Sequence, residues 1–152
     1  MALAFNPTST LLASGSADST IKIWDVQKKF TLLSSIQKHK GWIYSLVFSL
    51  DDVYLLSGSK DKSVRIWKQE EKGKYEPFKK IEDSSDSVIS LAVSPDGLYL
   101  FSGSRDGTVR AYTFSGLGDK KISPLYLNNH NNSVNALAFS RDCRYFATGS
   151  KN

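Results

Sequence analysis

One pattern recurs along this chain: SGSADSTIKIWD from Ser14, SGSKDKSVRIWK from Ser57 and SGSRDGTVRAYT from Ser102, with a fourth copy beginning as TGSKN at Thr148. Aligned four residues after the opening Ser or Thr, the copies place Asp18, Asp61, Asp106 and Asn152 at spacings of 43, 45 and 46 residues. A period in the forties admits units of helices or units of four strands, and hydrophobic periodicity chooses between them. Here the periodicity is two. Ile21 and Ile23 alternate with Lys22, Val64 and Ile66 with Arg65, and Val109 and Ala111 with Arg110, which puts the apolar side chains on one face of a strand.

Each unit divides into four short strands. In the second they are IYSLVFS from Ile43, VYLLSGS from Val53, SVRIWK from Ser63 and a weaker segment from Tyr75 to Ile81. The first two strands are joined by Asn6-Pro7, Asp51-Asp52, Pro95-Asp96-Gly97 or Arg141-Asp142, residues that fix φ or bond their own backbone in turns. The second and third are joined by a tight turn carrying the aspartate, with Asp106-Gly107 the strongest hairpin signal. The connections to the fourth strand, KQEEKGK after Trp67 and FSGLGDKK after Thr113, are polar and read as solvated loops.

With 152 residues, 40% of them hydrophobic, the chain has material for one cored domain. No apolar run approaches the roughly 18–20 residues that cross a bilayer, and MALAFNPTST lacks the form of a secretory signal. The single cysteine, Cys143, forms no internal disulfide and fits a reducing compartment, so a cytoplasmic or nuclear location is expected. The formal charge of +5 suits an anionic partner. However, eight basic residues between Lys60 and Lys80 are interleaved with four acidic ones, so no block of like charge forms.

These segments resemble the WD-repeat family of β-propellers, and with KHKGWIYSLVFS, LAVSPDGLYLFS and HNNSVNALAFS the resemblance covers essentially the whole chain. It implies an all-β fold: an incomplete propeller arc of three four-stranded blades plus a two-stranded half-blade. The blades span residues 1–36, 37–81, 82–127 and 128–152. It also implies a histidine before the innermost strand that bonds the tight-turn aspartate and a Ser or Thr of the second strand, which accepts from the tryptophan indole. The second unit carries the full set in His39, Ser57, Asp61 and Trp67; the first has Ser14, Asp18 and Trp24, the third Ser102, Asp106 and Tyr112, the fourth His130 and Thr148. A Ser-His-Asp triad is the competing reading. It fails because parts of the set recur in every unit, whereas a catalytic centre is assembled once.

The departures from the pattern carry expectations of their own. With Ser84 where histidine would fall and Tyr112 for tryptophan, the third unit should have a shorter or water-filled network and be the softest blade. Three and a half blades do not close a ring. The expectation is therefore a piece of a longer propeller, completed by blades of the same chain, by another chain or by self-association.

The resemblance implies partner binding across the face formed by the turns before the first strand and after the second. The residues placed there are Trp42, Tyr44 and Lys60; Ser87, Ile89 and Arg105; and Ser133, Asn135 and Lys151. Two aromatics beside three cations suggest an acidic or phosphorylated peptide as ligand. The alternative is nucleic acid or another polyanion on the Lys-rich outer rim, where Tyr75 and Phe78 offer weak stacking. No catalytic, metal or cofactor site is expected. The two histidines hold structural positions, Cys143 sits in a turn, and no metal-ligand spacing, P-loop or dinucleotide motif is present.

Overall fold

The computed structural model describes residues 2–118, 123–127 and 130–151; Asn152, read as standing at the aspartate position, and the start of the innermost strand at Met1 lie outside them. The described residues form antiparallel sheets in chain order. The first contains β1 (Ala2–Phe5), β2 (Leu11–Gly15), β3 (Ile21–Asp25) and β4 (Thr31–Ile36). The second contains β5 (Ile43–Phe48), β6 (Tyr54–Ser59), β7 (Val64–Glu71) and β8 (Lys74–Ile81). The third contains β9 (Val88–Val93), β10 (Tyr99–Ser104), β11 (Val109–Thr113) and β12 (Leu125–Leu127), and β13 (Val134–Phe139) pairs with β14 (Phe146–Ser150).

The core lies between sheets. Leu11, Ala13, Ile21 and Ile23 of the first sheet pack on Ile43, Leu46, Phe48, Leu55, Trp67 and Tyr75 of the second. Leu56, Val64, Ile66 and Ile81 of the second pack on Val88, Leu91, Leu100, Tyr112 and Leu117 at the third. Adjacent Leu55 and Leu56 point to opposite faces and both are fully buried, because this sheet is covered on both sides, whereas β2 of the first sheet alternates buried and half-buried residues. Between the third and fourth sheets Phe101 stacks on Phe139 and Phe146, with ring centroids at 5.0 and 4.4 Å.

A glycine in each second strand sets how closely these sheets approach. A Cβ on Gly15 would lie 2.5 Å from Ile43 Cγ2, one on Gly58 2.8 Å from Val88 Cγ1, and one on Gly103 2.9 Å from Val134 Cγ1. Ile43, Val88 and Val134 are the first residues of their inner strands and are fully buried. The missing side chain is what lets the next sheet seat against this one.

The turns at the far ends of the inner strands repeat one device. Ser49, Ser94 and Ser140 each donate through Oγ to the carboxylate two residues on, Asp51, Asp96 and Asp142, at 2.5, 2.5 and 2.6 Å, and each Oγ accepts from the backbone of Tyr54, Tyr99 or Tyr145 at 2.9 Å. In the first sheet Asn6 takes that place, with Oδ1 accepting from the backbone of Thr10 and Leu11 and Nδ2 reaching Asp52 of the second sheet.

Both connections read as solvated loops differ. KQEEKGK is a strand hairpin in which β7 runs to Glu71 and turns at Lys72-Gly73 into β8. Its tip docks on the first sheet: Ser34 Oγ donates to Gly73 O at 2.5 Å and Lys72 pairs with buried Asp25 at 3.1 Å. In the other, Ser115–Gly118 form a 3-10 turn that buries Leu117 against the third sheet. Sequence polarity misled because the contacts come from residues that read as loop: Lys72 and Gly73 in the first segment and a single leucine, Leu117, in the second.

Replacing Gly58 by alanine should destabilise the protein by about 1–3 kcal/mol through overpacking. Urea unfolding measures this, and Gly118→Ala, where nothing lies within 4 Å of the added carbon, serves as the neutral reference.

Candidate functional site

The second sheet contains an unbroken hydrogen-bond chain. Trp67 Nε1–H donates to Ser57 Oγ at 2.9 Å, Ser57 Oγ meets His39 Nε2 at 2.7 Å, and His39 Nδ1 meets Asp61 Oδ2 at 2.8 Å. A carboxylate only accepts, so His39 donates from Nδ1, and in that tautomer Nε2 is left to accept the Ser57 proton. Burial opposes the Asp61 charge, but bonds from His39, Ser63 and the Lys40 amide outweigh it and hold the carboxyl well below the usual carboxylate range. The donors all point along one line from indole to carboxylate.

These distances match those of a Ser-His-Asp triad, yet the site lacks a nucleophile. Ser57 and Trp67 are fully buried and His39 is 6% exposed. The serine oxygen already accepts from an indole, and no substrate carbonyl can reach it. What the arrangement can do is hold the segment before β5 to the turn between β6 and β7.

The other units keep parts of the chain. In the first, Trp24 donates to Ser14 at 2.9 Å, while Asp18 turns to Thr20, taking its amide at 2.9 Å and its hydroxyl at 2.6 Å. In the fourth, His130 Nε2 meets Thr148 Oγ1 at 2.6 Å.

The third unit corrects the expectation of a shorter or water-filled network. Arg110, equivalent in register to Arg65 and Lys22, turns inward and forks onto Asp106, with distances of 3.2 and 2.9 Å, where histidine would have bonded. Asp106 is completed by the amide and hydroxyl of Ser85, not by Ser84. The Tyr112 hydroxyl bonds both oxygens of Asp83, at 2.8 and 2.9 Å, so Ser102, fully buried, is left without a hydrogen bond. An ionic cluster has replaced the imidazole. Sequence reasoning missed Arg110, Asp83 and Ser85, although a tyrosine in a tryptophan place signals a hydroxyl in need of an acceptor.

Two regular devices build the neighbouring face. The backbone N–H of Lys60, Arg105 and Lys151 donates to the carbonyl of Trp42, Ser87 and Ser133, at 2.9, 2.9 and 3.1 Å. Inside each of these pairings lies a bulge: Ile43 and Ser45 pair with Ser59 and Gly58, so Tyr44 falls outside the ladder, as do Ile89 and Asn135 in the next sheets. Bulges commonly re-aim a side chain in this way.

At the seam between the second and third sheets the predicted residues meet. Trp42, 49% exposed, packs edge-on to half-buried Tyr44 with centroids at 6.3 Å. Lys60 Nζ lies 5.0 Å over the Trp42 ring and Arg105 5.5 Å over the Tyr44 ring. Ser87 is a correction: at 3% exposure it is a buried seam residue, not a face residue, because it stands on the neck of the pairing with Arg105. Ile89 and Ser133 are half-buried, and Asn135 and Lys151 are exposed. Asp86 and Lys62 were missed. The Ser87 amide and hydroxyl, with smaller electrostatic help from Arg105 and Lys62, hold the Asp86 carboxyl below its ordinary range.

The family model described as "WD domain, G-beta repeat" matches residues 1–25, 30–68, 75–113 and 118–152. The chain belongs to the WD-repeat family. The middle two matches each run from the outer strand of one sheet through the third strand of the next, so each of these two repeats laces two blades together. Over 50 residues the chain is 38% identical to mouse and 36% identical to human "WD repeat and SOCS box-containing protein 1". That stretch is 32% of this chain and 12% of each relative, so the chain matches only a small part of those proteins. WD repeats make protein–protein interaction scaffolds, and the family is generally non-catalytic.

On the outer rim, Tyr75 is buried against Phe48 and Phe78 packs on Tyr54, while Lys74 pairs with Glu71 and Lys80 with Glu82. The rim therefore presents partly neutralised charge, with Phe78 as its exposed ring.

Ser57→Ala should cost about 1–3 kcal/mol, since it strands a buried indole and imidazole, whereas Ser102→Ala should change stability by less than about 0.5 kcal/mol; parallel denaturant melts compare the two. The Asp106 carboxyl is opposed by burial, yet Arg110 and two amides bring it down to about 2. Its folded value lies below the unfolded value of about 3.9, so its contribution is intact above pH 4 and is lost as pH falls from 4 towards 2. A carbon-13 NMR titration should place its midpoint near 2, and higher in Arg110→Met.

Proposed function

We propose that this WD-repeat scaffold binds an acidic or phosphorylated segment of a partner protein at the blade seam formed by Trp42, Tyr44, Lys60 and Arg105. The carrying observation is that both rings are already capped by the chain's own cations. A cationic ligand would have to displace them. An anionic one meets two cations held in place by rings beneath them, on a face whose backbone is fixed by paired turns.

Charge-assisted hydrogen bonds are worth about 1.5–3 kcal/mol each, so loss of one cation should weaken binding by roughly tenfold or more. Fluorescence anisotropy with a Glu-rich peptide and a phosphoserine peptide tests this. Arg105→Glu and Trp42→Ala should each lower affinity at least tenfold, while Lys74→Glu on the rim leaves it unchanged. Equal affinity for the wild type and Arg105→Glu rejects the reading, and loss on Lys74→Glu alone transfers the site to the rim.

A further inference from the structure

We propose that a cleft at the opposite end of the second and third blades binds an arginine side chain of a partner peptide. The cleft has a volume of about 530 Å³ and is walled by Leu50, Asp51, Tyr54, Asp96, Gly97 and Phe114. At about 3.3 Å per strand residue it lies roughly 20–25 Å along the β5 direction from Trp42, so it is separate from the cationic seam.

Its charge is the reverse of the chain's. In a protein of formal charge +5, the cleft walls hold two carboxylates and no Lys or Arg. Each carboxylate is fixed by its turn. Asp51 Oδ1 accepts from Ser49 Oγ and the Val53 amide, and Asp96 Oδ1 from Ser94 Oγ and the Leu98 amide. Those bonds hold the Asp96 carboxyl below its ordinary range, the Ser94 hydroxyl contributing most. Among the described residues, neither Oδ2 is hydrogen-bonded or ion-paired to another residue, so each carboxylate keeps an acceptor for a ligand.

The walls are equally fixed. The Tyr54 ring is braced by Phe78 at 5.2 Å between centroids, and half-buried Phe114 has its amide bonded to Leu98 O at 2.9 Å. Gly97, at φ 73°, presents no side chain, and Leu50, 50% exposed, leans over it. Rings, an aliphatic lip and two preset carboxylates fit a guanidinium, which stacks on an aromatic face while its fork of N–H groups reaches carboxylates. An ammonium is more strongly hydrated and lacks the planar fork that stacks flat while reaching two carboxylates. The charge complementarity fixes the occupant as basic, and the rings favour arginine over lysine.

A fluorescein-labelled Gly-Ser-Arg-Arg-Ser-Gly peptide, with lysine and citrulline versions, tests this by anisotropy. The arginine peptide should bind at least fivefold more tightly than the lysine peptide and at least twentyfold more tightly than the uncharged citrulline one. Asp51→Asn with Asp96→Asn keeps the turn acceptors and should weaken binding tenfold or more. Leu50→Lys touches none of the turn bonds and should do the same, which guards against a folding defect in the double variant. Arg105→Glu, on the other face, should change affinity less than twofold. Equal binding of the citrulline peptide, no binding at millimolar concentration, or unaltered affinity in Leu50→Lys overturns the proposal.

Discussion

Burying an indole N–H, a hydroxyl and an imidazole in one sheet is tolerable only if each finds a partner, since an orphaned polar group costs about 1–3 kcal/mol. In the second blade the solution is a single file of bonds from Trp67 through Ser57 and His39 to Asp61. The file ties β7, β6, the segment before β5 and the tight turn into one body. Trp42 follows His39 by three residues and Lys60 precedes Asp61 by one, so the groups that face a partner are carried on the two ends of that tie. Resemblance to a catalytic triad arises because both arrangements solve the same pairing problem; burial separates a tie from a reagent.

The tie is not identical from blade to blade, and the differences follow from single residues. Without a histidine the third blade recruits Arg110, whose counterparts Arg65 and Lys22 remain half-buried on the sheet face. A guanidinium demands more acceptors than an imidazole, and Asp106 and Asp83 both lie within ion-pair range of it. Tyr112 then discharges its hydroxyl on Asp83 instead of Ser102. Two blades of the same protein thus hold equivalent turns through an imidazole and through a guanidinium, each on a tight-turn carboxylate held below its ordinary range.

Much of this was legible in the sequence because strand alternation and the recurring Ser-x-x-x-Asp spacing are local signals. The bonds from Trp67 through Ser57 and His39 to Asp61, those of Trp24 to Ser14 and His130 to Thr148, the Trp42–Tyr44 pair and the cations beside it follow from repeat position alone. The failures have physical causes. Arg110 reads as an exposed strand residue until the vacancy left by histidine is filled in three dimensions. Lys72-Gly73 reads as loop because the contact that orders it comes from Ser34 and Leu33 of another blade. Ser87 reads as a face residue because repeat alignment fixes place in the chain but not depth. Left-handed backbone at Ser9, Asp52 and Cys143, matching Gly97 in the third blade, was likewise invisible where glycine was absent.

If the hydrogen-bond file is what positions the face, its failure should be felt at the two turns before anywhere else. Amide hydrogen exchange by NMR on the wild type and on His39→Gln reads this directly, at Lys40, whose amide bonds Asp61, and at Lys60, whose amide bonds Trp42 O. Exchange at both should accelerate at least tenfold while β3 of the first blade keeps its protection. Unchanged protection at Lys40 and Lys60 would contradict the role given to the file.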